Sequence, residues 1–523
     1  MKIKVIFLIM LFGGISQTRA SELIDLVNTY KADTRALQRT YSMEESQEYY
    51  SRFTTFYKDW KGKVEGIDFQ ALSPQGKIDY VLIKNLIKKD SYLFSLDYNA
   101  FKEIAHVTDF ADGLYKFIKE RRRGKRPISN ELADVFTLAG KTIDNDPEFT
   151  WWMKMPYAKL EEKLISYEEF LRQNYSENSV KDDGSGIIGQ PIGKDALIEN
   201  LKLEFIPYTP EQLIKTAEKQ FEWCKAEMIK ASEELGYGKD WKAALEHVKN
   251  TYVPPGKQPE AIMELYNKSI KFIEDRNLIT LPEMAKENWG MIMMTPERQK
   301  VNPFFTGGTE ISISYPTEGM SHDDKLMSMR GNNPNFSFPT VQHELLPGHN
   351  LQFFMTTRQK NYRNAFSTPF WVEGWALYWE IILWNKGFPQ TPEQKIGSLF
   401  WRIHRCARII FSLKYHLGEL TPQECIDLLV NEVGHEYANA EAEVRRSFTT
   451  RYPPLYQLAY MMGGLQFYAL RNEILAKGWT EKEFHDRVMQ EGRIPVELLR
   501  NLLLEIPVYE NYKTNWKFST EFK

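Results

Sequence analysis

The sequence predicts a mainly α-helical protein with one small β element. Apolar residues recur at the spacing of a buried helix face, as at Ile24, Val27 and Tyr30 and at Leu213, Ala217, Phe221 and Cys224. Only the stretch from Thr309 to Pro316 alternates polar and apolar residues like a strand, and its terminal proline places it at a sheet edge. Composition agrees: 523 residues, 42% hydrophobic and 26% charged, describe an ordinary globular chain long enough for two lobes. Aromatic residues reach 14%, ample for a large core or an aromatic-lined cleft.

Residues 1–20 have the order of a cleavable leader: the basic MKIK, the apolar run Val5 to Ile15, then Thr18-Arg19-Ala20. The apolar run is too short to cross a bilayer as a helix, and no later stretch approaches the roughly 20 residues needed. An exported protein without a membrane span is therefore expected, periplasmic or extracellular. No cysteine lies near the expected cleavage site to accept a lipid anchor. Cys224, Cys406 and Cys425 are the only cysteines, an odd number without metal-ligand spacing, and read as buried small hydrophobes. The net charge of −3 offers no attraction for nucleic acid, and the basic run Lys119 to Arg126 reads as a solvated helix end or loop.

From residue 21 to 300 the pattern is that of a helical scaffold half. Proline and glycine interrupt it at Ser73 to Gly76, Asn174 to Gly193, Pro207 to Pro210 and Pro254 to Gly256. Asn174 to Gly193 is the best candidate for a long connection. Residues 301–523 form a second half: the strand-like stretch, a Gly331 to Pro334 loop, then helices broken near Pro389, Gly434, Pro453-Pro454 and Gly463-Gly464.

Chemistry concentrates in Thr340 to Phe353, TVQHELLPGHNLQF. In the usual zinc-peptidase motif two histidines four apart on a helix share one face and the adjoining glutamate acts as base. Here His343 and His349 are six apart. On an unbroken helix their imidazoles would point about 120° apart and stand about 9 Å along the axis, too far to share an ion. Pro347 removes an amide donor and Gly348 accepts unusual backbone angles, so the sequence supplies a kink where convergence needs one. The alternative is a helix that simply ends there, with both histidines packing nearby. A third donor is available in Glu373, 24 positions after His349 in the aromatic-rich run Trp371 to Glu380. Catalytic zinc takes three protein ligands and keeps one position for water, and His, His, Glu is a known set. Glu380 shares a helix face with Glu373 and is the rival ligand; the adjacent Gly374, which leaves space beside the carboxylate, favours Glu373.

The segments His343-Glu344-Leu345-Leu346-Pro347-Gly348-His349 and Glu373-Gly374-Trp375-Ala376-Leu377-Tyr378-Trp379-Glu380 resemble the bacterial family known as domain of unknown function 885. That family is similar to helical zinc peptidases such as angiotensin-converting enzyme and the thermostable metallocarboxypeptidases. The histidine spacing is also similar to that of dipeptidyl peptidase III, with one residue more. The resemblance extends to Ile192 to Leu197 and Pro207 to Leu213. It implies a mostly helical metallopeptidase with a deep cleft between two helical halves. One departure stands out: the family has a Pro-Gly-Gln-Ala stretch where this chain reads Pro453-Pro454-Leu455-Tyr456-Gln457-Leu458-Ala459-Tyr460.

The expected chemistry is hydrolysis of peptide bonds, with one zinc held by His343, His349 and Glu373 and with Glu344 as general base. Tyr456 and Tyr460, four apart, are either donors to the oxyanion or core aromatics. His416, Arg402, Arg405, Arg445 and Arg446 either orient a peptide and its carboxylate or are ordinary surface and ion-pair residues. His435-Glu436 repeats the His-Glu pair without a second histidine and reads as structural or surface. The strand at Ile311 to Tyr315 either pairs with an extended peptide or belongs to the scaffold. Two further readings share these residues: hydrolysis of a non-peptide amide, and a binding protein without catalysis.

Overall fold

The computed structural model describes residues 22–44, 46–105, 111–125, 182–301, 310–449 and 452–518, with isolated positions between 161 and 169. The leader-like residues 1–20, the first part of the Asn174 to Gly193 connection and Thr309 lie outside the described residues. The fold is mainly α with one small sheet, as the helical spacing requires.

Helix starts follow local chemistry. Thr209 and Thr391 each form a reciprocal cap with the glutamine three residues on, and each precedes a proline at the first helical position. Those caps open two 25-residue helices, Pro210–Glu234 and Pro392–His416, which pack against one another. The second is buried on nearly every side and also meets the helices Pro334–Glu344 and Tyr456–Leu475. One hydrophobic cluster runs from Leu23 to Phe518, so the change of pattern near residue 300 is not a break in packing.

The helix Pro369–Asn385 is apolar on all faces and lies in that core against Tyr456–Leu475. Their closest approach is at Gly374 and Gly463: a Cβ on Gly374 would stand 2.5 Å from the Gly463 Cα. Gly374 thus serves helix contact, which corrects the expectation that it makes room beside Glu373. Among the described residues no helix is long and apolar enough to cross a membrane.

The sheet has two parallel strands, β1 (Gly290–Met293) and β2 (Glu310–Ile313), in register from Gly290 opposite Glu310 to Met293 opposite Ile313. β2 is shorter than the alternating stretch suggests, and β1, a four-residue apolar run, has no alternation to betray it. The Asn350 side-chain amide donates to the Asn288 carbonyl at 3.2 Å, which sets the start of β1 beside the helix that carries His349.

Candidate metal centre

The helix that begins at Pro334 ends at Glu344, and a new helix, His349–Thr356, begins five residues later. The kink expected at Pro347-Gly348 is a full break, and it puts His343 in the last turn of one helix and His349 at the first position of the next. Gly348 makes it possible: its amide segment lies so close to the His343 carbonyl that a Cβ would overlap that oxygen. The Trp375 indole donates to the Pro347 carbonyl at 2.8 Å, which ties the break to the helix bearing Glu373.

The result is convergence. His349 Nε2 lies 3.2 Å and His343 Nε2 3.7 Å from Glu373 Oε2, and the donor atoms of all three lie within 4.8 Å of one another. All three residues are buried. Their outer atoms are held as well. His343 Nδ1 faces Glu380 Oε1 at 2.6 Å, His349 Nδ1 faces the Gln352 amide at 2.8 Å, and the Tyr456 hydroxyl donates to Glu373 Oε1 at 2.5 Å. Such outer contacts orient imidazole and carboxylate donors toward a cation. Glu380 therefore supports His343 and stays out of the converging set.

Burial alone would keep His343 neutral, but the carboxylates of Glu373 and Glu380 beside it outweigh burial and lift its pKa to about 9. Burial likewise works against the Glu373 carboxylate, and the two imidazoles outweigh it, holding it well below the usual range. A proton shared among these donors has to leave when a divalent cation enters. Nitrogen and oxygen donors in a buried triad with an adjoining carboxylate fit zinc, which takes His, His, Glu with an open position.

The triad opens on a cavity of about 360 Å³ whose described lining comes only from residues between Gly331 and Tyr460. Among the described residues, the second half thus supplies the wall of this cavity. Glu344, half-buried, lines it beside the triad. Tyr456 and Tyr460 line it too; burial pushes both phenols up, so both stay protonated donors. Tyr456 is engaged by Glu373, whereas the Tyr460 ring stacks on His343 with centroids 6.2 Å apart.

The other candidates divide. Arg405 and Arg446 line the cavity. Arg445 does not: it donates to the Gly186 carbonyl at 2.8 Å and pairs with Glu441, fastening the chain after residue 182. His416 ends its helix buried against Tyr415 and Phe448, away from the cavity lining, and burial pushes its pKa down to about 4. Arg402 packs on Trp223 and reaches Gln220. Of the structural and surface readings of His435, burial fits the structural one: a π-turn over Leu429–Val433 and a positive φ at Gly434 turn it onto the cavity wall, 2.9 Å from His404. His404, Arg408 and Glu443 are lining residues that sequence reasoning missed. Their signal is polar residues three or four apart on helices otherwise buried.

Buried neutral histidines make the fold less stable toward acid. His485 faces the Leu278 carbonyl through Nδ1 at 2.7 Å and the Tyr378 hydroxyl through Nε2 at 2.6 Å, and burial lowers its pKa to about 3. Its folded pKa lies below the unfolded value near 6.5, so the unfolded chain binds more protons and stability falls as pH drops from about 6.5 toward 3. Denaturant unfolding at pH 6.5 and 5.5 should show a loss of roughly 1 kcal/mol from this residue alone, and a His485→Gln variant should show a correspondingly shallower slope.

The chain belongs to the family described as bacterial protein of unknown function (DUF885), whose model matches residues 152–503. Among solved structures, it is similar to a candidate lipoprotein of unknown function from Shewanella oneidensis. The two share 18% identity and a TM-score of 0.71, over 93% of this chain and 100% of that one. A candidate lipoprotein from Colwellia psychrerythraea is also similar, at 16% identity and a TM-score of 0.63 over 92% and 98% of the two chains. No curated protein matches. At these identities the likeness concerns the fold.

Proposed function

We propose that the protein is an exported, zinc-dependent hydrolase of peptide bonds. The observation that carries this reading is the convergence of His343 Nε2, His349 Nε2 and a Glu373 oxygen within 4.8 Å, with Glu344 beside them on the cavity wall. A bound zinc would lower the pKa of a coordinated water and polarise the carbonyl to be cleaved. Glu344 takes the proton of the attacking water and delivers it to the departing amine. Tyr460, whose hydroxyl is not taken by the triad, donates to the developing oxyanion, while Tyr456 fixes the orientation of Glu373. A protein that only bound metal would have no use for a carboxylate at position 344. Export is supported by the leader-like first twenty residues and by the description of both solved neighbours as candidate lipoproteins, and places the protein in the periplasm or outside the cell.

Elemental mass spectrometry of purified protein tests the metal. One zinc per chain is expected, with markedly less in Glu373→Ala; protein that holds none and takes up none on addition of zinc would overturn the reading.

A further inference from the structure

We propose that the cavity receives a carboxylate of the substrate and that Arg405 is the group that binds it. Arg405 lines the cavity at 5% exposure, and its Nε has no hydrogen-bond partner within the described protein. A buried guanidinium N–H without an acceptor is costly. The Trp401 and Tyr460 ring centroids stand 5.2 and 4.9 Å from the guanidinium carbon. An acceptor that arrives through the cavity would meet a guanidinium that the protein leaves short of one. The nearest anion is Glu380, 4.0 Å from Nη2 and already engaged by His343.

The same wall carries further charge. Arg408 and Arg446 share a single carboxylate, Glu443, which lies 2.7 and 2.8 Å from them and also accepts from the Gln457 amide at 2.7 Å. Glu443 is thereby engaged by its own pairs and is not Arg405's partner. His404 and His435 lie on the same wall, and burial pushes both below their ordinary pKa. A planar guanidinium matches a carboxylate with two parallel hydrogen bonds.

The site lies one side chain from the triad, because Tyr460 stacks on His343 and its ring lies 4.9 Å from the Arg405 guanidinium carbon. An extended peptide advances about 3.3–3.6 Å per residue, so a carboxylate held there sits within a residue or two of the bond that is cut. This placement rests on the hydrolase reading; the carboxylate site itself does not. The substrate class is a peptide cut near its C-terminus, or one with an acidic side chain just beyond the cut.

Binding can be tested apart from turnover. Calorimetry with Glu344→Gln protein uses three probes: acetyl-Ala-Phe-Ala-Leu as free acid, its C-terminal amide, and the amide with Asp in place of Leu. The free acid should bind about 10- to 100-fold more tightly than its amide. Adding Arg405→Met should abolish that preference at unchanged zinc content, and Arg405→Lys should retain part of it. Tight binding of the Asp-containing amide would assign the carboxylate to a side chain, still at Arg405. Equal affinity for acid and amide, no binding of any probe, or a preference that survives Arg405→Met would overturn the proposal. If zinc is lost together with the preference in both Arg405 variants, Arg405 serves the triad and the proposal also falls. Failure of the hydrolase reading would appear elsewhere, as absent turnover by wild-type protein with acid selectivity intact.

Discussion

Replacing Glu344 by Gln is expected to leave zinc content unchanged and to lower kcat/KM on a peptide substrate by about 10²–10⁴-fold. The side chain stands next to His343 yet outside the three converging donors, so it does not hold the cation. Glutamine has the same size and keeps the cavity wall intact, but it cannot take a proton from water. Half-burial matters here: the carboxylate is exposed to cavity water and still close to the triad. Paired measurements of metal content and turnover check the result. Full activity with full zinc would remove Glu344 as the base, and loss of both would make it structural.

Gly348→Ala is expected to cost at least about 1–3 kcal/mol of stability and most of the bound zinc. The added methyl would overlap the His343 carbonyl, which is backbone and cannot swing away as a flexible side chain would. Relief has to come from moving the end of the Pro334–Glu344 helix or the start of His349–Thr356, and either shift separates the two imidazoles. Thermal unfolding with and without added zinc provides the check. An alanine variant of wild-type stability that still binds one zinc would mean that the break tolerates a side chain. The proposed dependence of convergence on glycine would then be wrong.

Much of the site was legible because its donors lie close together along the chain. His343, His349 and Glu373 span about thirty residues, and Pro347-Gly348 announces the break between the first two. Helical spacing likewise exposed the fold class. What spacing does not contain is which distant helix lies against which. Arg445 and His416 lie outside the cavity lining for that reason: a side chain near the cavity in sequence can face a loop, as Arg445 faces Ser185 and Gly186, or the core, as His416 does. Gly374 misled similarly, since only the packed pair reveals that Gly463 needs its missing Cβ. His404 and Arg408 were hidden because histidine and arginine on a buried helix carry no mark of the cavity until the neighbouring helices are in place.

The hydrogen bond from Trp375 to the Pro347 carbonyl has a kinetic meaning. It joins the turn between the two histidines to the helix that supplies Glu373, and that helix is locked into the core against Tyr456–Leu475. The three donors therefore cannot separate one at a time by the fraying of a loop. Escape of a captured ion has to await a cooperative opening of buried helices, an event much rarer than motion of surface segments. If the triad holds zinc as proposed, exchange of that ion with an added chelator should thus be slow, and the protein would retain it between rare openings.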